Sequence, residues 1–230
     1  MSFLRIPFGR RDWQVRQPAV VRYLAKIHVD AFFEDGTLRL SSFRHFRSHP
    51  DEVCRDGREG LATASISSPN SKGLVTGVCG QEQYVLCASA IESKELADRF
   101  GKDAGLRIDD PLRFADLVAK RVDGFAGGAS GPCAYTNDVG ITASDPIPFV
   151  PPRDGEDGEE VMRRFSERQQ SFAIGAYFVK HLRFHRDAEF RFIWFTSGPE
   201  RDYPEIKVPD ARRFCSPVVF GHGKALDTGA

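Results

Sequence analysis

The stretch HLRFHRDAEFRFIWF, residues 181–195, constrains the fold more than any other part of the chain. Ala188, Phe190, Phe192 and Trp194 recur at every second position, the period of a strand that turns one face into a core. The opposite face opens with Glu189 and Arg191 and continues with Ile193 and Phe195. A carboxylate and a guanidinium stand side by side where a strand enters an apolar interior. Burying either one without a partner costs several kcal/mol. They are therefore an ion pair at the mouth of a central strand, or a carboxylate fixed on a rigid element at the edge of a cleft. The pattern alone leaves both open.

With 230 residues, 41% hydrophobic and 19 Phe, the chain has the material for one globular unit over 1–230. Lys+Arg and Asp+Glu both number 32, so there is no global pull toward nucleic acid or an acidic membrane. The opening MSFLRIPFGRRDWQVRQP lacks the apolar run of a signal peptide and reads as an N-terminal arm over 1–18. No run approaches the roughly 18 apolar residues of a membrane helix. Cys54, Cys79, Cys87, Cys133 and Cys215 are odd in number and form no Cys-x-x-Cys pair, which argues against a disulfide framework or a cysteine zinc site. The expectation is a soluble cytoplasmic protein with no membrane partner.

VVRYLA (20–25) reads as a strand, IHVDAFFEDG as a helix with Ile27, Ala31 and Phe32 on one face and Gly36 as its stop, and TLRLSS (37–42) as a strand. Residues 43–60 are charged and broken by Pro50, Gly57 and Gly60, the marks of a long surface loop. LATASIS and QYVLCASAI predict strands separated by the turn-rich SPNSKG. Ser93 caps a helix over SKELADRFG. Asp110 and Pro111 start another, with Leu112, Ala115 and Ala119 along its face. GFAGGASG (124–131) lacks the Lys-Ser/Thr of a phosphate-binding loop and reads as a mobile loop, with CAYTNDVGIT a strand after it. A flexible Pro-rich and acidic segment covers 144–160, a helix 159–171, and a strand region 176–196. Unevenly placed helices among short strands predict an α+β fold.

His181, His185 and Glu189 are spaced by four, as on the face of a zinc-binding helix. The pattern around them is strand-like, however, and positions four apart on a strand lie roughly 13 Å apart. No metal site is expected. No Gly-x-Ser-x-Gly elbow is present either.

Three pieces, RYL…HVDAFFEDGTLRLSSFRHFRSHPDE, YVLCASA and KHLRFHRDAEFRF, resemble an uncharacterised family of bacterial domains. Its members carry a Tyr-bearing first strand, a strand closing on Ser-x-x-x-Phe, a Cys-x-Ser strand and a late Glu-bearing strand. The family's Asn-Asp-Pro after the Phe is replaced here by RHFRSHPDE. The order of elements also resembles the ADP-ribosyltransferase fold, in which an Arg, His or Tyr on the first strand, a Ser on a middle strand and a Glu on a late strand surround NAD. The resemblance implies a split mixed or antiparallel sheet with flanking helices.

It further implies NAD as substrate and a macromolecular acceptor, protein or nucleic acid. Glu189 would face the positive charge that develops when the nicotinamide–ribose bond breaks, and Arg191 would hold it, the two forming the catalytic pair. Tyr23 and Ser89 would hold the nicotinamide ribose and amide. Phe43 or Phe46 would stack on the nicotinamide, and Arg44 or Arg47 would meet the pyrophosphate. Such an enzyme, a transferase or an NAD glycohydrolase, suits a bacterial toxin or defence effector with an antidote or complex partner. The competing expectation is a non-catalytic module that grips nucleic acid or an acidic partner with the Arg-rich 39–58 loop.

Overall fold

The computed structural model describes residues 7–8, 11–12, 17–42, 45, 61–68, 71–78, 83–137, 147–148, 155, 157, 177–196 and 204–221. In chain order these form β1 (Pro7–Phe8), β2 (Arg11–Asp12), β3 (Val20–Leu24), α1 (Lys26–Asp35), β4 (Thr37–Arg39) and β5 (Ser41–Ser42). Next come β6 (Leu61–Ser68), β7 (Ser71–Val78), β8 (Gln83–Ser89), α2 (Lys94–Arg99), β9 (Ala104–Ile108) and α3 (Pro111–Ala119). The chain continues through β10 (Phe125–Pro132), β11 (Ala134–Thr136), β12 (Ile147–Pro148), β13 (Val179–His181) and a 3-10 helix (Leu182–Asp187). It closes with β14 (Glu189–Thr196), β15 (Glu205–Lys207), a second 3-10 helix (Pro209–Phe214) and β16 (Cys215–Val219). No helix among the described residues is long and apolar enough to cross a membrane.

The main sheet has seven strands in the order β10-β14-β8-β3-β9-β16, with β5 also on β8, and every neighbouring pair is antiparallel. With few helices and a mostly antiparallel sheet, the fold is α+β. β3 and β8 meet only at Val21↔Ser89. Beyond that pair they part, and β5 takes up the same edge of β8 at Ser41↔Val85 and Ser42↔Tyr84. Arg22 reaches from β3 to the carbonyl of Arg39 in β4, and burial lowers its pKa to about 10.

The alternation of β14 decides the layers. Phe190, Phe192 and Trp194 turn to one side, with Tyr84, Leu86, Leu106 and Ile108, under Phe32 of α1 and Phe114 and Val118 of α3. The Trp194 indole N–H donates to the carbonyl of Ala115, 3.0 Å away, so the ring's one polar atom is satisfied inside the core. The other side of β14 carries Glu189, Arg191, Ile193 and Phe195, and Ile193 packs there with Val85 and Tyr177.

Several elements begin and end where local chemistry dictates. Ser93 accepts from the N–H of Leu96, and Asp110 accepts from Arg113 with Pro111 in the first turn. Gly36 ends α1 in the left-handed region at φ 83. A Cβ there would collide with the backbone of Pro209.

Four expectations are corrected. α1 buries Val29 and Phe32, while Ile27 is 71% exposed. α3 buries Phe114 and Val118, one turn apart, and leaves Leu112, Ala115 and Ala119 half-buried. The expected loop GFAGGASG is most of edge strand β10. A Cβ at Gly128 would stand 3.0 Å from the carbonyl oxygen of Ile193, so glycine there permits close approach to β14. SPNSKG is not all turn, because pairing from Leu61↔Val78 to Ser68↔Ser71 makes Ser71, Lys72 and Gly73 part of β7.

β9 was not expected. Its AGLRI lacks alternation because Gly105, Leu106 and Ile108 are all buried. Only Ala134–Thr136 of the strand expected over CAYTNDVGIT is described as strand. The helix expected over 159–171 lies outside the described residues, as do 43–60 apart from His45 and most of 144–160.

Candidate functional site

The stretch 176–196 is not one strand. After β13 the chain tightens into the 3-10 helix, whose first turn is capped by His181 Nδ1 accepting from the N–H of Arg183 at 3.1 Å. It leaves that helix through Ala188, a non-glycine residue at φ 42. Main-chain bonds pin this turn on both sides. Ala90 N–H donates to the Ala188 carbonyl at 2.8 Å, and Cys133 N–H donates to the Glu189 carbonyl at 2.8 Å. The Ser89 hydroxyl donates to the Asp187 carbonyl at 2.7 Å. Arg99 of α2 pairs with the Asp187 carboxylate. The direction in which Glu189 starts β14 is thereby fixed.

Turning back through the 3-10 helix brings Lys180 of β13 against Glu189. Lys180 Nζ donates to Glu189 Oε2, and Arg191 Nε donates to Oε1 at 2.5 Å. Arg191 Nη1 donates to the Tyr177 carbonyl at 2.6 Å. Lys180 Nζ also lies 4.6 Å from the centre of the Phe184 ring. Arg191 has no exposed surface, and Glu189 and Lys180 keep 6% and 8%. Burial alone would raise the carboxyl pKa of Glu189. Arg191 first and Lys180 second overcome it and hold the group well below the usual carboxylate range. The Glu189 N–H donates to the Tyr135 hydroxyl at 2.6 Å, and burial raises the pKa of that phenol. The result is a fixed anion between two cations, with a protonated tyrosine beside its backbone.

Register brings three of the expected residues to one face. Ser89 is directly opposite Glu189 on one side and Val21 on the other, and Tyr23 follows Val21 by two positions on β3. Tyr23 and Ser89 then grip the same connection. The Tyr23 hydroxyl donates to the Ile91 carbonyl at 2.7 Å and accepts from Ser93 N–H at 2.9 Å. Ser89 Oγ accepts from Ile91 N–H at 3.0 Å. Each hydroxyl hydrogen is thus given to the main chain, where the sequence reading gave it to a ribose or an amide. The Tyr23 ring packs on Phe100 and Phe220, and burial raises its pKa.

Arg191, expected as half of a catalytic pair, is sealed inside and acts by positioning Glu189. Phe43, Arg44, Phe46 and Arg47 lie outside the described residues. His181 and His185 are not on a strand with Glu189. The first ends β13, and the second is exposed on the 3-10 helix with Nδ1 at 2.9 Å from the Leu182 carbonyl.

Tyr135 and Arg99 escaped the sequence reading, and Lys180 and Asp187, though both lie within KHLRFHRDAEFRF, were given no role by it. Lys180 did leave a signal, being a lysine just after the apolar Tyr177–Val179 and nine residues before the glutamate that opens the core strand. Tyr135 and Arg99 left none, because only the fold brings them there. Comparison with protein-family models, curated proteins and solved structures finds no match to this chain.

Proposed function

We propose that the protein is an ADP-ribosyltransferase-like enzyme that cleaves NAD, passing ADP-ribose to a macromolecular acceptor or to water. One observation carries the reading. Glu189 is an anion set at the first residue of a central strand, held by two cations and lying directly opposite Ser89. Breaking the nicotinamide–ribose bond sends the bonding electron pair out with nicotinamide and leaves positive charge on C1′ and the ring oxygen. A nucleophile then bonds to C1′ and gives up its proton. A preorganised carboxylate beside the sugar stabilises that charge without reorganising. Lys180 and Arg191 serve by keeping Glu189 ionised and aimed. Tyr23 and Ser89 serve by fixing the 89–93 connection on the same face. A role in a toxin or defence system fits a reaction of this class.

Removing one electrostatic stabiliser of a transition state typically costs about 100- to 1,000-fold in rate. Nicotinamide release from NAD is therefore expected to fall about 100-fold or more in Glu189→Gln, with the far-UV spectrum unchanged. An unaltered rate in that variant, or no release by the folded wild type with and without cell lysate, defeats the proposal.

A second reading has its own observation. Both Glu189 oxygens and the hydroxyl hydrogens of Tyr23 and Ser89 are engaged within the protein, as in a buried structural network. The protein would then be a binding module, with the 39–58 segment gripping nucleic acid or an acidic partner. Partner binding that survives Glu189→Gln but is lost in Arg44→Ala/Arg47→Ala supports this reading.

A further inference from the structure

Of the three hydroxyls that stand around the start of β14, two give their hydrogen to the main chain. The Tyr23 hydroxyl donates to the Ile91 carbonyl, and the Ser89 hydroxyl donates to the Asp187 carbonyl. Tyr135 differs. Its oxygen accepts from the Glu189 N–H at 2.6 Å, and its own hydrogen is given to no acceptor among the described residues. A phenol both donates and accepts. The fold uses the accepting half of this one and leaves the donating half.

The strands decide where that donor stands. Tyr135 is the middle residue of β11 and lies directly opposite Lys180 of β13. Lys180 bonds the Glu189 carboxylate, and Tyr135 holds the main chain of the same residue. Three elements thus bring the phenol, the ammonium and the carboxylate together. Burial is the largest influence on the phenol and raises its pKa, so it keeps its proton at neutral pH. Tyr135 is also more open than its neighbours. It is half-buried, whereas Glu189 and Lys180 keep 6% and 8% of their surface and Arg191 keeps none. A carboxylate with both oxygens bonded still has lone pairs to offer a ligand. A ligand that meets Glu189 from the open side therefore finds a protonated hydroxyl next to it.

We propose that Tyr135 contacts the substrate, donating its hydroxyl hydrogen to an oxygen of the nicotinamide–ribose half of NAD while its lone pair holds the start of β14. This rests on the NAD-cleaving reading and adds to it a group that holds the substrate against Glu189. Tyr135 acts in binding and Glu189 in the bond-breaking step.

The test compares two replacements in the full chain. Tyr135→Phe removes the donor and the acceptor together. Replacement of Tyr135 by O-methyltyrosine removes the donor and keeps the oxygen that accepts from the Glu189 N–H. Steady-state nicotinamide release gives kcat and KM for NAD. Calorimetry gives Kd for an NAD analogue with a methylene in place of the ring oxygen of the nicotinamide ribose, which cannot form the oxocarbenium ion. A neutral hydrogen bond is worth about two- to tenfold in affinity. KM and Kd are expected to rise by that factor in both proteins, with kcat of the O-methyltyrosine protein unchanged, the mark of a contact made equally in ground and transition states. Glu189→Gln should show the opposite split, a fall in kcat with KM little altered. The thermal midpoint of the O-methyltyrosine protein should match wild type, and that of Tyr135→Phe should fall because the Glu189 N–H loses its acceptor.

Equal KM and Kd in wild type and the O-methyltyrosine protein overturn the inference. So does a fall in kcat alone in Tyr135→Phe, which makes the hydroxyl a brace for β14 and nothing more. Wild type that binds the analogue without cleaving NAD defeats the cleavage reading, and the Kd values then decide the role of Tyr135 by themselves. Neither binding nor release by folded wild type overturns both.

Discussion

Two cations hold Glu189 charged in a place where burial alone would make it neutral, and this asymmetry sets what substitution does. Truncating either cation leaves a buried anion with half its compensation, a change that typically costs about 3–5 kcal/mol. Arg191→Met is expected at the upper end, because Arg191 also satisfies the Tyr177 carbonyl, and Lys180→Met at the lower end. Urea midpoints measure both. The sign of the pH dependence follows from the lowered carboxyl pKa. Glu189 contributes stability above its ordinary value of 4.5, and the contribution is lost as pH falls from there through the depressed folded value. The gap in thermal midpoint between wild type and Glu189→Gln should therefore be widest near neutrality and close below about pH 4.5. Exposed Asp35 titrates in the same range, held down to about 2 by hydrogen bonds first from Lys207 and then from Thr37. It is common to both proteins, so the difference isolates Glu189. A gap that stays constant down to about pH 3 contradicts the ion triad.

At the scale of elements, two left-handed residues act in opposite ways. Gly36 ends α1, and its N–H donates to the Phe32 carbonyl at 2.9 Å, while the second 3-10 helix packs close above it. Gly36→Ala adds a left-handed penalty of about 1–2 kcal/mol to a collision with Pro209. A loss of at least about 2 kcal/mol is expected in chemical denaturation. Ala188 stands at φ 42 with a Cβ already in place. Ala188→Gly relieves that strain while loosening the unfolded chain, so a gain of at most about 1 kcal/mol is expected. A clear loss would mean that the methyl group contributes packing that outweighs the strain. The turn is worth this cost because it aims Glu189 across β8 at Ser89.

Over the whole molecule, the sheet is not equally supported along its width. β8 and β14 are paired on both sides, whereas β10 and β16 end the order. β3 has β8 only at Val21 and otherwise rests on β9. Amide hydrogen exchange should be slowest in Val85–Ala88 and Phe190–Trp194, and faster in β16 and β10. Arg22–Leu24 should fall between, because among the described residues no strand pairs with the β8-facing side of β3 there. Exchange of β3 as slow as that of β8 would mean that the two halves open as one unit, with the parting of the strands carrying no energetic weakness.

The sequence by itself determined the local features. Alternation placed Phe190, Phe192 and Trp194 in the core, and Ser93, Asp110, Pro111 and Gly36 set helix ends, because strand faces and caps are fixed by nearest-neighbour sterics and hydrogen bonds. It also put Glu189 and Arg191 on one face, with an ion pair and a carboxylate at a cleft edge both left open. Only the tertiary structure decided that Lys180 would complete the pair, since a 3-10 turn and a left-handed alanine reverse the chain between them. It decided, too, that GFAGGASG would be an edge strand and AGLRI a central one. Their burial depends on what the neighbouring strands present, not on their own period. The meeting of Ser89 with Glu189 is a matter of register between strands far apart in the chain, and register is chosen by burying one face of each strand in a common core.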